Sequence, residues 1–272
     1  MIKVCQNLHT HTIYCDGNNT LEEMAISAVE KGMTSIGFSG HALTPHDVSY
    51  CMSYENTLKY ADDVFRVRQK YKDRLKVYLG LEQDYFSVKP IIDCDYIIGS
   101  VHYVLKDGNY IPVDETRGDI LNAVDSLYGG DIYSFLENYY LTVADIYNKT
   151  GCDIVGHFDL PEKFNADGKM FDRENPRYVK AYQNAVDILI SQGRIFEINT
   201  GGMCKGYTKN PYPNSSILKY LALKNGKITV SSDSHTADTV DYMLNEMYDY
   251  AKNGGVDKIY FLTENGFECV EL

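Results

Sequence analysis

Short apolar runs alternate along this chain with longer stretches whose apolar residues recur at helical spacing. The run IKVCQNLH predicts a first strand. TLEEMAISAVEKG then predicts a helix, with Thr20 as N-cap, Glu23 at the capping-box position and Gly32 closing it. A strand at TSIGFSGH, a helix within 55–73 and the strands LKVYLGLE and DYIIGSVH come next. A long helix is predicted over 132–149, leading into the strand CDIVGH. Helices near 176–192, 215–225 and 240–252 feed the strands RIFEINT, KITVSSDSH and DKIYFLT. This alternation is the pattern of parallel strands joined by helical crossovers. The least regular parts, 43–53, 106–131 and 160–175, are predicted to be connections, and loops of that length in compact domains are usually functional. No linker or low-complexity tract divides the chain, so 1–272 reads as one domain.

The strands stop on a restricted set of residues. The first ends on His9 and His11, the second on His41 and the third on Glu82. The fourth ends on His102, the fifth on His157, and a later one on Asp233 and His235. Only one of the seven histidines, His46, lies away from a strand end, and it reads as a loop residue. Alternate residues of an extended strand share a face, so His9 and His11 point the same way, as do Asp233 and His235. In a barrel of parallel strands the carboxyl ends meet on one rim, where active sites are built. With Asp16, the candidate metal ligands are His9, His11, Asp16, His41, Glu82, His102, His157, Asp233 and His235. Imidazole and carboxylate without thiolate suit Zn, Mn or Fe better than Mg or Ca. So large a set exceeds one ion and suits two or three, with open positions for water and substrate.

Composition narrows the class of partner. A net charge of −12 argues against a nucleic-acid polymer or an anionic membrane surface, although bound cations can reverse the sign of a pocket. The seven cysteines are scattered and form no C-x-x-C pair, so neither a disulfide framework nor a zinc ribbon is expected. Reduced thiols fit the cytoplasm. The start MIKVCQNLH lacks the apolar core of a signal peptide, and no run of about 18 apolar residues appears.

The ordered motifs resemble the PHP (polymerase and histidinol phosphatase) superfamily over almost the whole chain. They are the H-x-H of NLHTHT, the histidine of GFSGHA, the glutamate of GLEQDY, the histidines of GSVHYV and VGHFDL, and the D-x-H of SDSH. GLEQDY, GSVHYV and EINTGG further resemble the monofunctional histidinol-phosphatase branch. The resemblance implies a distorted (β/α)7 TIM-like barrel with a trinuclear metal site. It implies one ion on His9, His11, Glu82 and Asp233, and a second on Glu82, His102 and His157 with Glu82 bridging. A third falls on Asp16, His41 and His235. It also implies hydrolysis of L-histidinol phosphate, in histidine biosynthesis, with Glu82, Asp233 and His235 at the catalytic centre. Metal-bound hydroxide would attack phosphorus, with paired ions about 3.5–4 Å apart aligning it. The general acid for the leaving group is not identified by the residues.

Two departures bear on substrate. The branch tends to carry an acid where this chain has Gly40. It also tends to carry arginines that grip phosphate where this chain has Cys204 and Glu162. Neither replacement offers arginine's bidentate fork. Lys205 and Lys163 lie beside them and are the candidates for the substrate phosphate, Lys205 in a glycine-rich loop whose amides could also meet an anion. Arg117, Arg173, Arg177 and Arg194 read as surface charges. A metal-dependent phosphomonoesterase acting on a small phosphorylated metabolite is therefore the leading expectation. The alternatives are a phosphatase or phosphodiesterase for another small ester or nucleotide, or a metal-binding module without turnover.

Overall fold

The computed structural model describes residues 5–272, so the beginning of the first predicted strand lies outside the described residues. Its ordered part, β1, is Gln6–Asn7, followed by α1 (Leu21–Glu30) and β2 (Ser35–Phe38). The Thr20 hydroxyl and the Glu23 carboxylate cap α1 reciprocally, as the sequence predicts. Then come α2 (Tyr54–Tyr71), β3 (Lys76–Asp84), β4 (Tyr96–Ser100), and a hairpin of β5 (Tyr103–Lys106) and β6 (Asn109–Pro112). Helices α3 (Arg117–Leu127), α4 (Ile132–Ala144) and α5 (Ile146–Thr150) lead to β7 (Ile154–Val155). The remainder is α6 (Pro176–Ser191), β8 (Ile195–Asn199), the one-turn α7 (Gly201–Cys204), α8 (Ser215–Leu223), β9 (Lys227–Ser231), α9 (Leu244–Asn253), β10 (Lys258–Thr263) and β11 (Gly266–Glu271).

Strands β1, β2, β3, β4, β7, β8 and β9 pair in that order, all parallel. The ring closes at its upper rim, where Thr10 bridges Ser234. His11 N donates to Ser234 O at 2.8 Å, and Ser234 N donates to His9 O at 3.2 Å. Lower down the seam is wedged open. There β10 pairs with β9 through Ile259 and Ile228, while the Gln6 side chain donates to Leu262 O at 2.9 Å and accepts from its N–H at 2.8 Å. The result is a distorted seven-stranded barrel with β11 added outside, antiparallel to β10.

Helices cover the outer face in one continuous apolar layer. A small second cluster, Leu8, Tyr96, Ile98, Ile154, Ile195 and Leu262, fills the barrel interior beneath the rim. Tyr96 reaches across it to the carbonyls of Leu8 and Phe38. Among the described residues no helix is long and apolar enough to cross a membrane.

Three regions differ from the sequence expectation. The connection 106–131 is not irregular: it holds β6 and α3, with a two-residue Asp107-Gly108 turn whose positive φ values suit that pair. The helix expected over 132–149 breaks at Asp145, whose carboxylate accepts from Tyr85 Oη at 2.8 Å and Asn148 Nδ2 at 2.9 Å. The last helix begins at Leu244 rather than 240, because Met243 sits in the left-handed region (φ 54°).

Candidate metal centre

Of the seven barrel strands, all but β8 deliver at least one of the nine candidate ligands to the upper rim, and the nine converge there. His9 and His11 follow β1, with Asp16 on the turn beyond; His41 follows β2, and Glu82 lies within β3. His102 follows β4 and His157 follows β7, while Asp233 and His235 follow β9. Four sets of ligand atoms lie within 4.8 Å of one another: His11, Asp16, His41 and His235; His9, Glu82 and His157; His9, His11 and Asp233; and His41, Glu82 and His102.

Glu82 is the hub. Its Oε2 lies 3.1 Å from His9 Nε2, 3.0 Å from His41 Nδ1 and 3.4 Å from His11 Nε2. Its Oε1 lies 3.0 Å from His157 Nε2 and 3.5 Å from His102 Nε2, and accepts from Ser100 Oγ at 2.6 Å. The two oxygens thus face different histidine sets. Asp233 Oδ1 lies 3.2 Å from His11 Nε2, and Asp16 Oδ2 lies 3.1 Å from His235 Nε2. Compared with the grouping the resemblance implies, His11 also reaches the set around Asp16, and His41 also reaches Glu82.

These side chains fit metal ions. His9 Nε2, His11 Nε2 and Glu82 Oε2 are fully buried without a hydrogen-bond partner, a costly state unless a cation joins them. The donors are imidazole and carboxylate. Cys15 Sγ lies 3.6 Å from His11 Nδ1, but burial and Asp16 push its thiol up to about 12, so it stays protonated.

The cluster's charges interlock without metal. Burial alone would lower the pKa of His9, yet Asp233, Glu197 and Glu82 carry it well above the ordinary value. His102 resists burial in the same way, pushed up to about 10 by Glu82, Asp84 and Asp114. His11 goes the other way, down to about 3, through burial and its neighbours His235 and His41. Burial would raise the Glu82 pKa, but His9, His41 and His102 hold it well below the usual carboxylate range. A raised histidine holds its proton at neutral pH, and a ligand nitrogen must give it up. Metal uptake at pH 7 is therefore expected to release at least about one proton per chain. Affinity should weaken as pH falls, and release should fade as pH rises towards 10. Calorimetry in buffers of different ionisation enthalpy measures this, and uptake without proton release at pH 7 contradicts it.

Two acids that hold candidate ligands, Glu197 and Asp84, escaped the sequence reading. Glu197, in the middle of β8, lies 3.0 Å from His9 Nδ1 and accepts from His157 N at 2.7 Å, Ser231 Oγ at 2.5 Å and Asn199 Nδ2 at 2.8 Å. It orients two candidate ligands at once, the usual work of a carboxylate behind a metal-binding histidine. Asp84 accepts from His102 N at 2.9 Å and lies 3.4 Å from its Nδ1. The signal was a carboxylate inside the apolar run RIFEINT, and a second acid alternate to Glu82 in GLEQDY.

The departures now have physical accounts. A Cβ on Gly40 would stand 3.0 Å from Met52 Cε, so buried Met52 fills the space an acid there would need. Glu162 is buried and does not line the cleft; Arg173 grips it through Nε at 2.9 Å and Nη2 at 2.6 Å. Arg173 is thus a buried acid's partner, not a free surface charge. Cys204 also stays out of the cleft wall, whereas Lys163 and Lys205 both line it. Lys205 Nζ lies 3.4 Å from His235 Nε2. Lys163 Nζ donates to Asp114 O and sits 4.5 Å from the centre of the Tyr207 ring. The glycine-rich loop does not present a nest of amides. It winds into α7, and the N–H groups of Gly201, Met203, Cys204, Lys205, Gly206 and Tyr207 all donate within the protein. His46 stacks 3.9 Å from Tyr110 and outside the ligand cluster.

Comparison with known proteins agrees with this architecture. The PHP domain model matches residues 7–201, so the chain belongs to the PHP family. Within it, the chain is 27% identical over 257 residues to the "probable histidinol-phosphatase" of Deinococcus radiodurans, covering 89% of this chain and 90% of that protein. It is 25% identical to the histidinol-phosphatase of Bacillus subtilis, covering 86% and 94%. The fold is shared with the Lactococcus lactis histidinol phosphate phosphatase solved with zinc, L-histidinol and phosphate. That match has a TM-score of 0.70 at 18% identity, over 97% of this chain and 98% of that one.

Proposed function

We propose that this protein is a metal-dependent phosphomonoesterase whose substrate is L-histidinol phosphate, and hence a cytoplasmic enzyme of histidine biosynthesis. The observation that carries the chemistry is Glu82, whose two oxygens divide His9, His11 and His41 from His102 and His157. Two or three Zn, Mn or Fe ions held by the nine side chains would supply an activated water near neutral pH and neutralise phosphoryl oxygens. Lys205, beside His235, adds a point charge for the phosphate, and Lys163 lines the same cleft next to Tyr207. Asp114 and Glu115 also line the cleft, and acids there suit a leaving group bearing an ammonium, as histidinol does. Relatives named histidinol-phosphatase support the same substrate.

A second reading keeps the chemistry and changes the ester, because no arginine lines the cleft among the described residues. A panel of phosphate esters compared by kcat/KM decides between them. Histidinol phosphate is expected to lead, and Lys205→Ala to lower its kcat/KM by about 10- to 100-fold, the effect of losing one charge-assisted hydrogen bond. A different ester cleaved far better by the native protein removes the histidinol assignment and leaves the phosphatase. Metal-loaded protein that releases phosphate from no ester is a binding module instead.

A further inference from the structure

We propose that the Tyr212 hydroxyl donates a hydrogen bond, and then its proton, to the leaving-group oxygen of the phosphate ester. The inference rests on the phosphomonoesterase reading and supplies the general acid that the ligand motifs leave open. Tyr212 is 3% exposed, yet its hydroxyl has no hydrogen-bond partner, and it lines the same cleft as Glu82, Asp233 and His235. Buried hydroxyls are nearly always satisfied, so an unsatisfied one on a residue that lines a cleft points to something that arrives there.

The surroundings hold it in that state. Tyr212 and Asn199 exchange backbone hydrogen bonds, Asn199 N to Tyr212 O at 2.7 Å and Tyr212 N to Asn199 O at 2.9 Å. A Cβ on Gly202 would lie 2.7 Å from the hydroxyl, and one on Gly201 would lie 2.9 Å from Asp233 Oδ2. Side chains at these two positions would crowd the phenol and the Asp233 carboxylate, and the glycines keep that side of both clear.

The phosphoryl oxygens already have cations to meet, but a departing alkoxide must gain a proton. The cleft's histidines all belong to the ligand cluster, so none is spare for this task. In the step, a water oxygen bonds to phosphorus while the ester phosphorus–oxygen bond breaks. The electron pair of that bond stays on the ester oxygen, which takes the Tyr212 proton and leaves as the alcohol. The proton lost by the attacking water returns the phenolate to phenol.

Tyr212→Phe in the metal-loaded protein tests this. General acids contribute about 10²–10⁴-fold for leaving groups that need a proton, so kcat on an aliphatic phosphate ester should fall about 100-fold. The nitrophenolate of p-nitrophenyl phosphate leaves without help, so the aliphatic-to-nitrophenyl ratio of kcat should fall at least about tenfold. Removing an unpaired buried hydroxyl should also leave the thermal midpoint of the metal-free variant level or higher. An unchanged ratio overturns the assignment, whether activity is kept or lost equally on both esters. So does a lowered midpoint with equal losses, the mark of a structural role. If the native protein cleaves neither ester, the phosphatase reading falls and takes this one with it.

Discussion

Stripping the metal from this protein should abolish phosphate-ester hydrolysis, and Zn, Mn or Fe should restore it. Fully loaded protein should carry two or three ions per chain by elemental analysis. The reason is geometric: four overlapping sets of donor atoms lie within 4.8 Å, too many for one coordination sphere. Loading should also raise the thermal midpoint, because ions that bind only the folded chain stabilise it by mass action. At most one ion per chain after full loading would remove the multinuclear account.

The second large effect is expected at Glu82. Glu82→Gln keeps the shape of a side chain that is 1% exposed, so the variant should fold. It replaces one oxygen with an amide nitrogen that cannot ligate, and removes the charge shared between the His9–His11–His41 side and the His102–His157 side. We expect kcat to fall at least about 100-fold, the scale reached when a catalytic electrostatic contact is lost. Ion content should fall alongside it. Near-normal turnover with full metal occupancy would show that the two sides do not depend on one bridge.

The candidate ligands were legible because all but Asp16 mark the end of an apolar run, and parallel strands place those ends on one rim. Their partners were harder to read. Glu197 sits inside such a run, where local pattern gives no hint that Ser231 and His157 will converge on it. The Arg173–Glu162 pair depends on a loop folding back on itself, and the Tyr212 hydroxyl is notable only for what it fails to touch. The β5–β6 hairpin was legible in principle, since Asp107-Gly108 is a strong turn signal. Its strands are only 4 residues each, too short for their alternation to stand out.

The rim seam has a consequence in time. Asn7 and Ser232, which join their side chains at 2.7 Å, are 225 residues apart, and His11 and Ser234 meet across the same line. Closing a loop of that length costs about 5 kcal/mol of chain entropy. On the ribosome, His9 and His11 emerge long before the Asp233 and His235 that they are to meet. The sets built on Glu82 with His9 and His157, or with His41 and His102, have their donors earlier, but the sets that include Asp233 or His235 stay incomplete until then. Docking of β9 therefore does two things at once: it closes the barrel at its rim and completes the donor sets that need Asp233 and His235.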